Sequence, residues 1–134
     1  MRSQFPIFDE EMLYPEYTTD GDDTGYFNVP CNTKGDIYWM TRFFVTKAFR
    51  VTATTNDLYV KILGARSRDS DNNLTWAYTA QAEQLVGVGT PFDVTITDPF
   101  LALKVQVKRA TDDDGHNGTL SVYAWGTTLN MPIA

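Results

Sequence analysis

Leu101-Ala102-Leu103-Lys104-Val105-Gln106-Val107-Lys108 decides the fold class. Leu101, Leu103, Val105 and Val107 fall on one side of an extended chain. Ala102, Lys104, Gln106 and Lys108 fall on the other, as a strand with one face in the core and one in water requires. Leu58 to Ala65 repeats the pattern, with Leu58, Val60, Ile62 and Gly64 set against Tyr59, Lys61, Leu63 and Ala65. Phe92 to Thr97 and Leu120 to Trp125 repeat it again. Arg42 to Thr54 is rich in β-branched and aromatic residues, with Lys47-Ala48 as an expected bend. Leu74 to Thr79 reads as a short strand carrying Trp76 and Tyr78, and Ala77 to Leu85 is the one stretch that suits a short helix.

Turn signals separate these runs: Thr55-Asn56-Asp57, Ser67 to Asn73, Gly87-Val88-Gly89-Thr90-Pro91, Asp98-Pro99 and Thr111 to Gly118. Seven or eight short strands at this spacing predict an all-β fold, an antiparallel β-sandwich of jelly-roll type. Strands with one polar face favour antiparallel pairing. The paired cysteines of an immunoglobulin sandwich are absent, because Cys31 is the only cysteine.

Charge divides the chain. Met1–Asp36 holds eight acids against Arg2 and Lys34, whereas Ile37–Ala134 holds nine acids and nine bases, so the net charge of -6 sits in the first quarter. The same quarter lacks periodicity, and Pro15 disfavours helix at Tyr14. Residues 1–36 are therefore expected to be an acidic, aromatic N-terminal arm and lead-in, and 37–134 the sandwich body. The arm, Met1 to Asp23, either folds back on its own body or lies on a neighbouring subunit. Its aromatic residues Phe5, Phe8, Tyr14 and Tyr17 suit partner anchors, since aromatics are enriched at binding hot spots. Its acids, Glu10 and Glu11 among them, would favour a basic patch on the partner.

Composition excludes several functions. A net charge of -6 argues against nucleic acid as a main partner. No apolar run approaches the roughly 20 residues that span a bilayer, and Met1 to Pro6 contains no apolar signal core. With only Cys31 and His116, neither a two-histidine nor a cysteine-rich metal site can form. Asp69-Ser70-Asp71-Asn72-Asn73 begins like a calcium loop, but Leu74 stands where the turn glycine belongs and Ala80 where the bidentate glutamate belongs. Asp112-Asp113-Asp114-Gly115-His116 reads as a solvated turn, and His116 has no partner that spacing can place. Cys31 has no base beside it. Asn73-Leu74-Thr75 and Asn117-Gly118-Thr119 match a glycosylation pattern that has no meaning without secretion. No catalytic residue, cofactor or metal is expected. Trp39, Trp76, Tyr78, Tyr123 and Trp125 are the rings from which a sugar-binding platform would be built.

Three stretches together resemble small β-sandwich virion proteins of tailed bacteriophages, most closely the capsid decoration, or cement, proteins. They are Leu58 to Gly64, Asp98 to Lys108 and Gly118 to Gly126. The resemblance implies a jelly-roll body, no enzymatic activity and assembly in the host cytoplasm onto the exterior of a virion. It further implies binding to a major capsid protein and a homo-oligomer, trimer first and dimer second. A tail or fibre module and a carbohydrate-binding module are the alternatives.

Overall fold

The computed structural model describes the backbone of residues 9–18, and residues 26–31, 36–110 and 119–128. Every regular element among them is a strand. In chain order they are β1 (Asp9–Thr18), β2 (Phe27–Asn28), β3 (Trp39–Met40), β4 (Thr46–Ala53), β5 (Leu58–Ala65), β6 (Tyr78–Val86), β7 (Phe92–Ile96), β8 (Ala102–Arg109) and β9 (Thr119–Thr127).

One sheet has the order β1-β9-β4-β7 and the other β2-β8-β5-β6, with β3 also on β8. All pairings are antiparallel. β2 and β3 pair with opposite ends of β8, at Val107 and Leu103, and act as two pieces of one interrupted edge strand. The pairings then nest: β1 with β9, β2 and β3 with β8, β4 with β7, β5 with β6. That is a long antiparallel ribbon folded over on itself, the jelly roll expected from the sequence.

The core fills the space between the sheets. Phe49, Val51, Ala53, Ile96, Leu120, Val122 and Ala124 come from the first sheet, and Leu58, Val60, Ile62, Val86, Leu103, Val105 and Val107 from the second. Each set is the every-second-residue set of its strands, as the pleat requires. Trp39 closes one end of the core against Phe44 and Phe49, at ring centroid distances of 5.5 and 5.7 Å. Phe100 lies against Gly64 and Phe44 against Gly126, two places where a side chain on the strand would occupy the space of the ring.

Three expectations are corrected, and one choice between two is settled. The stretch Ala77 to Leu85 is not a helix: it lies within β6, which pairs with β5 from Leu58↔Val86 to Gly64↔Tyr78. Its alanines and glutamines favour helix locally, but the unpaired edge of β5 offers a ladder of backbone hydrogen bonds. Lys47-Ala48 is not a bend but the regular start of β4. Leu74 to Thr79 is not one strand: Leu74 forms an isolated bridge with Arg68, and β6 begins at Tyr78. Asp9–Thr18 of the arm is a paired strand of the sandwich, the folded-back arrangement of the two considered.

Candidate functional site

Among the described residues no group of three metal-ligating side chains comes together. Asp69 illustrates why. Its Oδ1 accepts from the backbone N–H of Asp71 and of Asn73, both at 2.9 Å, so the carboxylate caps its own turn. Asn72 takes the left-handed conformation in that turn, at φ 68°. Cys31 donates its thiol to the Tyr38 carbonyl at 2.7 Å, a packing role. Asp112 to Asp114 and His116 lie outside the described residues, as do Phe5 and Phe8. What the fold does present is three distinct surfaces.

The first is the end of the sandwich closed by the β3–β4 and β7–β8 connections. Buried Thr41 donates its N–H to Leu101 O at 2.8 Å and its hydroxyl to Phe100 O at 3.1 Å. Lys47 is 0% exposed, and its Nζ donates to Asp98 O at 2.8 Å and Phe44 O at 3.3 Å. Burial pushes the Lys47 ammonium below its ordinary pKa, partly opposed by Asp98. These bonds stitch the two connections together. Yet Met40, the last residue of β3, and Phe43 and Val45 on the connection stay exposed, Phe43 at 66% with the Arg42 guanidinium 4.5 Å from its ring centre. The pairing Asp9↔Thr127, beside Thr46↔Thr127, brings the start of β1 to this same end.

The second is a shallow groove of about 610 Å³ on the outer face of β7, β4 and β9. Register builds it: Arg50 lies opposite both Asp93 and Tyr123, and Ala48 opposite both Thr95 and Trp125. Arg50 donates from Nε and Nη2 to the two Asp93 oxygens at 2.7 and 2.9 Å. That pairing raises the Arg50 pKa and lowers that of Asp93. Tyr123 and Trp125 meet edge to face, with centroids 6.2 Å apart and planes at 72°. β1 borders this face, with Glu11 opposite Trp125 and Leu13 opposite Tyr123.

The third is the outer face of β8, β5 and β6, where lysines lie over aromatic rings. Lys61 is 4.1 Å and Lys108 4.9 Å from the Tyr26 ring centre, and Lys104 is 4.6 Å from that of Trp76. Tyr26 donates its hydroxyl to Glu83, and Lys108 Nζ stands 3.6 Å from the same carboxylate. Burial first, and Glu83 second, push the Tyr26 hydroxyl up. Burial alone lowers the Lys104 ammonium.

Of the arm's partner candidates, Glu10 lies at the register position opposite Gly126 and Glu11 opposite Trp125. Tyr14 is opposite Val122 and Tyr17 opposite Leu120, both core residues of β9. The register shift between Tyr14 and Tyr17 spans Pro15, which has no backbone N–H to give the ladder. The sugar-platform set is not assembled. Trp39 is 6% exposed in the core, Trp76 lies in the loop before β6 beneath Lys104, Tyr78 belongs to the second sheet, and Tyr123 and Trp125 to the first. Sequence reasoning missed Lys47 and the lysine face. The alternation of Lys61, Lys104 and Lys108 with core residues was the signal for the face. Nothing local distinguishes Lys47 from a surface lysine.

No family model matches the chain, and no curated protein matches it. Among solved structures it is similar to a chain of the Gt strain of infectious bursal disease virus, with TM-score 0.44, 11% identity, and 98% of this chain and 39% of that chain covered. A chain of the Kashmir bee virus empty particle at acidic pH gives TM-score 0.44 and 9% identity over 96% of this chain and 97% of that one. The C-terminal family 22 carbohydrate binding module of a Clostridium thermocellum protein gives TM-score 0.36 and 12% identity over 90% and 87%. The chain thus spans about two-fifths of the bursal disease virus chain that it matches.

Proposed function

We propose that this chain is a non-enzymatic structural protein of a virion, a capsid decoration protein that docks on the exterior of a major capsid protein shell as a homo-oligomer. The observation that carries this reading is the stitched end of the sandwich. Thr41 and Lys47 fix the backbone there, while Met40, Phe43 and Val45 remain in water. Apolar side chains displayed on a rigid backbone lose little conformational entropy when a partner covers them. β1 begins at the same end, beside this patch. Clamping a shell needs contact area and rigidity, and no reaction.

The test is decoration of shells assembled without this chain. The double variant Phe43→Ser/Val45→Ser keeps the wild-type thermal midpoint and loses binding. A variant that decorates at full occupancy refutes the reading. The groove at Arg50, Asp93, Tyr123 and Trp125 supports a second reading, carbohydrate binding, because its volume is that of a small-ligand site. Rings at 72° do not form a flat stacking platform, which weighs against it. A glycan array with Trp125→Ala as control decides: signal lost in the variant favours the sugar, and no signal removes it.

A further inference from the structure

We propose that the outer face of β5 and β8 is the docking surface for the acidic edge strand β1 of a second copy of this chain, joining copies head to tail. The inference rests on the homo-oligomer part of the function above and names its interface.

Charge on this face is unbalanced. Lys61, Lys104 and Lys108 alternate with the core residues Val60, Ile62, Val105 and Val107, so all three reach the outer side. Lys61 pairs with Gln106, midway between Lys104 and Lys108 on β8. At about 3.4 Å per residue, the three side chains leave the sheet from a triangle with edges of roughly 7 to 14 Å. That is comparable to a Debye length of about 8 Å, so their charges add. Across β5, β6 and β8 the only acid is Glu83, already engaged by Tyr26 and Lys108. The rings of Tyr26, Tyr59 and Trp76 hold the lysine chains in place without neutralising them.

The complementary charge is on the other sheet. β1 contains Asp9, Glu10, Glu11 and Glu16 and no base, and it is the outermost strand of its sheet, with β9 on one side and no described strand on the other. Acids on an edge strand discourage indiscriminate strand pairing. They also make that edge specific for a positive surface. Edge and face belong to different sheets, so each copy offers one surface and accepts on the other. A heterologous contact of that kind forms a ring where its rotation closes and a filament where it does not; the expected trimer is the closed case. A nucleic acid would meet the same lysines, but it would approach a chain of net charge -6, so the acidic edge of a second copy is the favoured occupant.

The experiment is light scattering behind size exclusion on the full chain, at about 50 mM and about 500 mM salt, conditions that move the Debye length from about 14 Å, the widest spacing of the lysines, to about 4 Å, below the narrowest. Wild type is expected as a multiple of 15.1 kDa in low salt, falling to 15.1 kDa in high salt. Lys61→Glu/Lys104→Glu/Lys108→Glu is expected at the single-chain mass in both. Mixed with Asp9→Lys/Glu10→Lys/Glu11→Lys, it runs above the single-chain mass, because the exchanged charges pair only between unlike variants. Should the triple variant fail to fold, zero-length carbodiimide crosslinking of mixed light and heavy wild-type chains decides. Peptides joining Lys61, Lys104 or Lys108 to 9–16 of another copy support the interface, and their absence overturns it. An unchanged mass for a folded triple variant overturns it too, as does a single-chain wild type that retains a single-stranded oligonucleotide on a filter. An oligomer with the expected crosslinks that leaves shells bare would refute decoration and keep the interface.

Discussion

Substituting Gly126→Ala tests the seat of Phe44, the residue that anchors the proposed docking end. A Cβ built on Gly126 meets Phe44 ring atoms at 2.5, 2.7 and 2.8 Å. Ordinary carbon contacts are about 3.5–4.0 Å, so the ring has to retreat by about 1 Å. It has little room to do so, because Phe44 is itself buried and packs on Trp39 at 5.5 Å. Overpacking of this kind costs typically 1–3 kcal/mol. Replacing glycine inside a strand returns part of that by reducing the freedom of the unfolded chain. A net loss of about 1.5 kcal/mol is expected, which lowers the thermal midpoint by roughly 5 to 8 °C in a domain of this size. The assay is a thermal melt followed by circular dichroism, with Phe44→Leu and the double variant as partners. Trimming the ring relieves the clash, so the double variant is expected to be more stable than the sum of the two single losses implies. Strict additivity, or a Gly126→Ala midpoint within a degree of wild type, would refute the seating of Phe44 on Gly126.

Three further outcomes are expected. The folded Lys47 ammonium releases its proton below the ordinary lysine range, so the unfolded chain holds more protons between the two values, and stability rises with pH there. Urea midpoints across alkaline pH show that rise in wild type and a smaller one in Lys47→Met, the remainder coming from Lys104; identical slopes would contradict the assignment. The Tyr26 hydroxyl is the main cause that holds the Glu83 carboxyl below its ordinary value, so Tyr26→Phe moves the Glu83 titration upward by NMR, and an unmoved midpoint shows that the bond does not form in solution. Deleting residues 1–8 removes Phe5 and Phe8 but spares β1; it is expected to leave the melt unchanged and weaken shell binding, whereas undiminished binding removes those two rings as anchors.

β5 was legible to the residue, because Leu58 to Gly64 alternates buried and half-buried and the strand is preceded by turn residues. β8 and β9 were legible for the same reason. β6 was not, since Ala80, Gln81, Ala82, Glu83 and Gln84 carry no alternation, and its strand state comes from the β5 edge. Lys47 misled because a lysine at a core position is readable only once Asp98 and Phe44 are known to offer carbonyls to it. The surfaces divided likewise. The acidic character of β1 was plain from composition, but its place beside β9 is a long-range pairing that no local pattern specifies. Gathering Lys61, Lys104 and Lys108 on one face required the partner order of β5 and β8.

The nested pairing also sets an order of events for the newly made chain. β5 and β6 are neighbours joined by one loop, so their hairpin closes at the lowest entropic cost and precedes the rest. β4 with β7, then β8 with its interrupted partner, enclose it from progressively farther apart. β1 waits longest, because its partner β9 is made after all the other described strands. Such high contact order makes folding slow. It also means that the acidic strand stays unpaired until β9 has been made, so its acids, which resist indiscriminate strand pairing, guard an open strand through that interval.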